Sequence, residues 1–389
     1  MSDLTAQPKG KPQRLKLITS YGPVYREIKS TEARDARPGE IPVIDVSAIF
    51  GDDLEPKRKL AREIASVAED TGFFYIENHG IPATAIEAAL SSSASFFQQP
   101  EELKRQVHTS QSRFLNGWID PKSPRPSDEE SSADMCEHFS LKYDPEYDPT
   151  VTDLESIPYD FRRCFKGEEW YWERTSHIPE FKKNLVGYWQ AGLSLARRLT
   201  GIFALALDVS EDYFAEKTLY PDASMTLNHC RTIQHSEGSP GSTDARSAVS
   251  EPSSAAETLQ RTGPDTLNVG THTDLQLFSI LWQDHQGGLQ VLTSQGEWIN
   301  VKPVEGALGV NIADFLMRIT NDRWKSTVHR VKHDDSADRY SMSFFFGFNL
   351  NETCGVLPSC VDEQNPAKYD PISCEELVRR RFQVATDRA

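Results

Sequence analysis

No stretch of this 389-residue sequence approaches the roughly 18 apolar residues of a membrane-spanning helix, although 38% of its residues are hydrophobic. The opening, Met1 to Gly10, lacks the apolar centre of a signal peptide. Positive charge is in short supply: 42 Lys and Arg stand against 58 Asp and Glu, a net charge of −16. So acidic a chain is a poor partner for nucleic acid or an anionic membrane surface. Cysteine is scarce. The six (136, 164, 230, 354, 360 and 374) have no metal-ligand spacing and read as reduced thiols in a cytoplasmic setting. Cys354 and Cys360 could pair only in an oxidising one. Also missing is the alternation of helix and strand that marks a parallel α/β sheet. What remains is a large cytoplasmic chain whose partner is a small molecule, with the oligomeric state left open.

Taken in order, residues 1–40 are polar and read as a flexible N-terminal arm, folding back along the body through Leu15, Leu17 and Tyr21. A strand is expected over Ile41–Val46. Leu60, Ile64, Val67 and Ala68 then have helical spacing, and Phe73–Ile76 returns to strand before the turn Asn78-His79-Gly80. His79 reads as holding that turn. Ala83–Phe97 is helical and stops before Pro100. The tract 120–130 carries three prolines and must be a loop. Beside it, Phe114, Trp118 and Phe139 are either core or cavity wall, and His138 is an optional polar contact. Pro179–Val209 is the longest helical pattern, a scaffold helix. Ser224–Ile233 reads as a strand. The segment 236–263, rich in Ser, Gly, Pro and Ala, reads as a mobile insertion, either passive or a lid. Residues 268–348 are dense in strands, and 351–389 form a tail with a helix around Cys374–Phe382. One domain is expected over 41–350: a helical part, 41–223, and a jelly-roll core, 224–350.

The chemistry concentrates between His272 and Ser341. In an extended strand, side chains at i and i+2 share a face, so His272 and Asp274 point together. His329 follows 57 residues after His272, enough chain for several strands to return to one cavity. Two imidazoles and one carboxylate make the facial ligand set of a non-haem iron(II) site. His-x-Asp alone is common, and the chain has ten histidines; the combination carries the signal. The second His lies between Val328 and Val331, and Arg339-Tyr340-Ser341 begins ten residues later. His333 is the poorer ligand candidate, since Lys332-His333-Asp334-Asp335 looks like a strand end.

These residues resemble the 2-oxoglutarate and iron(II)-dependent oxygenases, isopenicillin-N-synthase-like branch. Further motifs follow that family's order: Ile41-Pro42-Val43-Ile44-Asp45, Gly72-Phe73-Phe74 through Asn78-His79-Gly80, and Gly287-Gly288-Leu289 with Trp298. The resemblance implies a mainly β fold with flanking helices around a double-stranded β-helix core. It implies Fe(II) on His272, Asp274 and His329, with 2-oxoglutarate and O2 as cosubstrates. Arg339 and Ser341 would bind the far carboxylate, a planar guanidinium being suited to two-pronged recognition. Asn228 fits the family's Asn-x-Tyr pattern, but Cys230 stands where Tyr is common, so Arg339 and Ser341 would serve without a phenol. Oxidative decarboxylation to succinate would accompany hydroxylation, desaturation or ring expansion. Phe278 and Phe345, with Phe114, Trp118 and Phe139, suggest an apolar or aromatic substrate with an unactivated or benzylic C–H bond. Gln276-Leu277-Phe278 and Leu281–Asp284 look similar to fungal biosynthetic members, which implies secondary metabolism. Two rivals are a 2-oxoglutarate-independent iron oxidase of the same branch and a non-catalytic binding protein on the same fold.

Overall fold

The computed structural model describes residues 13–20, 22–121, 136–232, 267–332 and 337–386, the last five of these as backbone only. Tyr21, the insertion 236–263 and His333 lie outside the described residues. The N-terminal arm folds back on the body at Leu15 and Leu17, and from Gln13 it does so as paired strands. β1 (Gln13–Thr19) and β2 (Gly22–Ile28) form an antiparallel hairpin, which buries Leu15, Leu17 and Ile28 against Leu292, Trp298 and Val328. The alternation of Leu15 and Leu17 supplies the apolar face that holds it down. β3 (Ala33–Asp35) follows, then β4 (Val43–Asp45).

α1 (Leu54–Asp70) starts where the Asp53 carboxylate accepts from the Glu55 N–H at 3.0 Å, and Leu60, Ile64 and Ala68 form its buried stripe. Just past its end stands Gly72, whose φ of +66° suits glycine and whose added Cβ would stand 2.1 Å from the Lys325 carbonyl. That close approach lets the chain turn directly into β5 (Phe73–Glu77). His79 does hold the next turn, its Nδ1 accepting from the Ile81 N–H at 3.1 Å. Then come α2 (Ala83–Phe97), α3 (Glu101–Arg105), β6 (Gly117–Ile119), β7 (Cys136–Lys142), α4 (Tyr159–Arg162), α5 (Trp170–Arg174) and the 26-residue α6 (Phe181–Ala206).

The strands of the core are β8 (Ala223–Cys230), β9 (Val269–His272), β10 (Phe278–Gln283), β11 (Leu289–Leu292), β12 (Trp298–Asn300) and β13 (Leu308–Ile312), then β14 (His329–Val331) and β15 (Arg339–Phe346) after α7 (Asp314–Ile319). The chain closes with β16 (Thr353–Cys354), β17 (Ile372–Ser373) and α8 (Cys374–Thr386). Two sheets form the core, ordered β4-β5-β13-β10-β15-β8-β7-β6 and β3-β12-β11-β14-β9, while β1-β2 and β16-β17 pair separately. This is the double-stranded β-helix: two sheets face to face with the site between them.

Strand parity decides what each sheet presents. On β10 and β15, Phe278, Ile280, Phe344 and Phe346 join the helix-side core with Met225 and Leu227 of β8. Their neighbours Ser279, Leu281, Ser341, Ser343 and Phe345 line the cavity between the sheets. No described helix is long and apolar enough to cross a membrane.

The cysteines correct the expectation of reduced thiols throughout. Cys136 and Cys230 are joined in a disulfide, with Cα atoms 4.1 Å apart. They are direct partners across the β7–β8 ladder. At 94 residues' separation, only the sheet register brings them together. Cys354 is hydrogen-bonded with Cys374, and Cys164, Cys354, Cys360 and Cys374 are free thiols.

Candidate active site

β9 and β14 pair antiparallel with His272 opposite His329, and the ring centroids are 4.2 Å apart. β9 ends at His272, so Asp274 reaches the same point from the loop beyond, rather than from a continuing strand. One ligand atom from each of His272, Asp274 and His329 lies within 4.8 Å of the others. Asp274 Oδ1 is 3.7 Å from His272 Nε2 and 3.9 Å from His329 Nε2.

The surroundings orient this trio. His272 Nδ1 donates to the Gly270 carbonyl at 2.8 Å, and His329 Nδ1 to that of Thr327 at 3.0 Å. Those bonds place the proton on Nδ1 and leave each Nε2 lone pair for a metal. Asp274 Oδ2 accepts from Ser279 Oγ at 2.5 Å and from Asn311 Nδ2 at 2.8 Å, which leaves Oδ1 for coordination. Burial raises the Asp274 pKa, but His329, His272, Ser279 and Asn311 outweigh it and hold the carboxyl below its ordinary value. Two imidazoles and one oriented carboxylate, all buried or half-buried, fit a divalent iron with open positions.

Behind the trio, the Asp314 carboxylate accepts from Thr273 Oγ1 at 3.1 Å and from Ser326 Oγ at 2.6 Å, while Arg381 of α8 donates to the Thr273 carbonyl. The loop between the two first ligands is therefore clamped from the far side. A cavity of about 750 Å³ lies on that side, under the β1–β2 hairpin. It is larger than the cavity of about 260 Å³ at the trio, but the ligand set opens into the smaller one.

Arg339 also lines the smaller cavity, although only 1% of its surface is exposed. It donates to the Gly287 carbonyl, to Ser341 Oγ at 3.0 Å and to Gln283 Oε1 at 3.2 Å, all neutral acceptors. Burial pulls its pKa down to about 10, with Asp284 partly opposing the shift. Asn228 donates to Ser341 Oγ at 3.3 Å and accepts from His138 Nδ1. The polar row His138–Asn228–Ser341 thus crosses three strands.

Of the aromatic residues singled out from sequence, only Phe345 lines this cavity. Phe278 packs on Phe203 and Phe346 in the helix-side core. Phe139 points to the same side, against Phe96, Tyr171 and Phe181. Trp118 is buried, its Nε1 donating to Glu137 at 2.8 Å, and Phe114 is 36% exposed. In each strand case the parity is opposite to that of a cavity residue. Sequence reasoning missed Ser279, Asn311, Gln283, Phe73 and Leu281. Ser279 and Asn311 left a signal: each is a polar residue inside an apolar strand, and such a residue needs a buried partner.

Two facing sheets that bring His, Asp and His and a buried Arg-x-Ser pair to one cavity define a non-haem iron oxygenase. The comparisons give the same answer. A family model described as the 2OG-Fe(II) oxygenase superfamily matches residues 251–348, and one described as the N-terminal region of the non-haem dioxygenase in morphine synthesis matches 41–159. The 2-oxoglutarate-Fe(II) type oxidoreductase ppzC of Metarhizium rileyi is 41% identical over 95% of this chain and 93% of its own length. The oxidoreductase hxnY of Emericella nidulans, of the same type, is 30% identical over 90% of this chain and 92% of its own. Among solved structures, a full-length Neurospora crassa protein in complex with alpha-KG and thymine superposes with a TM-score of 0.68, at 23% identity, over 90% of this chain and 98% of that one. The chain belongs to the 2-oxoglutarate–Fe(II) oxygenase superfamily, and both relatives named above are fungal. It is an oxidoreductase that uses Fe(II), 2-oxoglutarate and O2.

Proposed function

We propose that His272, Asp274 and His329 hold the iron, that Arg339, Ser341 and Asn228 hold the 5-carboxylate of 2-oxoglutarate, and that the enzyme oxidises a C–H bond of a small molecule. The observation that carries this reading is Arg339: a buried guanidinium that, among the described residues, meets only neutral acceptors. A buried cation of this kind is stabilised by an anionic ligand, and a dicarboxylate cosubstrate brings one on every turnover.

Bound iron and 2-oxoglutarate supply the oxidising power, drawn from dioxygen. The protein supplies position and exclusion of water. Asp274 offers one oxygen because Ser279 and Asn311 occupy the other, so the ligand geometry is preset. Phe73, Val269, Leu281, Leu289, Val331 and Phe345 form an apolar wall, and His138, Thr226, Asn228 and Ser343 form a polar edge. That cavity suits a compact ring or chain with an apolar or aromatic body and an unactivated or benzylic C–H bond, carrying a hydrogen-bonding group. The match of residues 41–159 to a family model described from morphine synthesis supports a role in secondary metabolism. The cytoplasmic location read from the sequence stays part of this proposal, with Cys164, Cys354, Cys360 and Cys374 free thiols.

The test is stoichiometry. Succinate should form in step with 2-oxoglutarate consumed, and only with iron present. Substrate oxidation in cosubstrate-free buffer, with no succinate, would replace this reading with a 2-oxoglutarate-independent oxidase.

A further inference from the structure

The disulfide sits in a particular place. Cys230 is the ladder partner of Cys136 on one side and of Arg339 on the other. Residues opposite one another in a sheet share a face, so Cys136, Cys230 and Arg339 form one rung on the cavity side. The next rung on the same face is His138, Asn228 and Ser341, two residues along each strand. That second rung is hydrogen-bonded from end to end. Arg339 Nη1 joins the two rungs through Ser341 Oγ at 3.0 Å.

The rung with the disulfide is also the terminal one. Cys136 is the first residue of β7, Cys230 the last of β8 and Arg339 the first of β15. Strand ends open more easily than strand centres. A covalent bond across two of the three ends therefore stiffens the edge from which Arg339 reaches into the cavity. The Cα atoms of Cys136 and Cys230 stand 4.1 Å apart, and the sulfurs tie the two strands covalently at this rung. Both cysteines are fully buried, so the bridge is part of the wall behind the guanidinium.

We propose that the Cys136–Cys230 disulfide is a positioning element of the 2-oxoglutarate pocket, and that its reduction loosens the Arg339 rung and weakens cosubstrate binding. The proposal rests on the assignment of Arg339 to the 2-oxoglutarate carboxylate. Reduction takes two electrons and two protons from a dithiol: the S–S bond breaks, Cys136 and Cys230 become thiols, and the dithiol leaves as its own disulfide. Because binding and redox state are linked, the effect is reciprocal. Whatever factor the bridge contributes to 2-oxoglutarate affinity, bound 2-oxoglutarate returns to the bridge as resistance to reduction.

The experiment uses the whole chain, purified without reductant. Alkylation and peptide mapping should recover Cys136 and Cys230 joined. Calorimetric titration of 2-oxoglutarate into the Mn(II)-loaded protein should give a Kd about fivefold or more weaker after dithiothreitol treatment. C136S/C230S should match the reduced wild type, with an unchanged circular dichroism spectrum; should it not fold, the reduced wild type carries the comparison. In a dithiothreitol redox buffer, saturating 2-oxoglutarate should raise the ratio of disulfide to dithiol protein by a matching factor. Equal Kd values in the oxidised and reduced protein would overturn the proposal and leave the cosubstrate assignment standing. So would alkylation of both cysteines as free thiols after incubation with oxidised glutathione. Absence of 2-oxoglutarate binding in both states would instead remove the cosubstrate assignment, and this proposal with it.

Discussion

Replacing Arg339 by Ala is expected to separate cosubstrate binding from fold stability. In the folded protein, burial pulls the guanidinium from 12.5 to about 10, so it remains charged at neutral pH. At about 1.4 kcal/mol per unit, this desolvation costs on the order of 3 kcal/mol. Hydrogen bonds to Gly287, Ser341 and Gln283 offset part of that cost. Truncation removes the penalty and the bonds together, so the net change in stability should stay within about 2 kcal/mol. Binding is different. A carboxylate held two-pronged makes two charge-assisted hydrogen bonds, each worth roughly 1.5–3 kcal/mol. Losing them should weaken 2-oxoglutarate by about 3 kcal/mol or more, a rise in its Michaelis constant of at least ~100-fold. Arg339→Lys should recover only about tenfold, because an ammonium lacks the planar fork. Succinate release against 2-oxoglutarate concentration measures the first effect, and thermal melting of the ligand-free protein measures the second. A Michaelis constant within about threefold of wild type, at normal stability, would refute the assignment of Arg339 to the carboxylate.

Other expectations concern the metal and the core. His329→Ala and Asp274→Ala should abolish tight iron binding and turnover; iron retained at wild-type stoichiometry would remove these residues from the ligand set. Asn311→Leu takes one of two donors from Asp274 Oδ2, so metal affinity should fall about tenfold or more, as read by Mn(II) titration; an unchanged affinity would show that Ser279 suffices. Glu137 accepts from Lys104, Trp118, His229 and Arg231. Burial raises its pKa, but His229, Lys104 and Arg231 outweigh that and hold it at about 2, against 4.5 ordinarily. A depressed carboxylate stabilises the fold above its unfolded pKa and ceases to do so as pH falls through the folded one. Burial lowers the Lys104 pKa in turn; the carboxylate, with more partners, sets the sign. Wild-type stability should therefore decline from about pH 4.5 towards pH 2. Glu137→Gln should lose about 3 kcal/mol at neutral pH and show a flatter acid profile; parallel profiles for the two proteins would contradict this.

The sequence by itself determined the kinds of side chain available and their order: His-x-Asp, a distant His, Arg-x-Ser, the long scaffold helix and a run of short strands without helix repeats. Those are local facts, readable from spacing. Period-2 alternation also showed that Arg339, Ser341, Ser343 and Phe345 share a face. It could not show, from one strand alone, which face of Phe139 or Phe278 meets the cavity. That depends on register with strands tens of residues away, and a shift of one residue inverts every side chain. The same non-local packing set Cys136 against Cys230, put Ser279 and Asn311 on Asp274, and docked the N-terminal hairpin on the five-stranded sheet. Tertiary structure decided these because each is a contact between segments that share no local signal, settled by which packing of the whole buries the apolar faces and satisfies the polar ones.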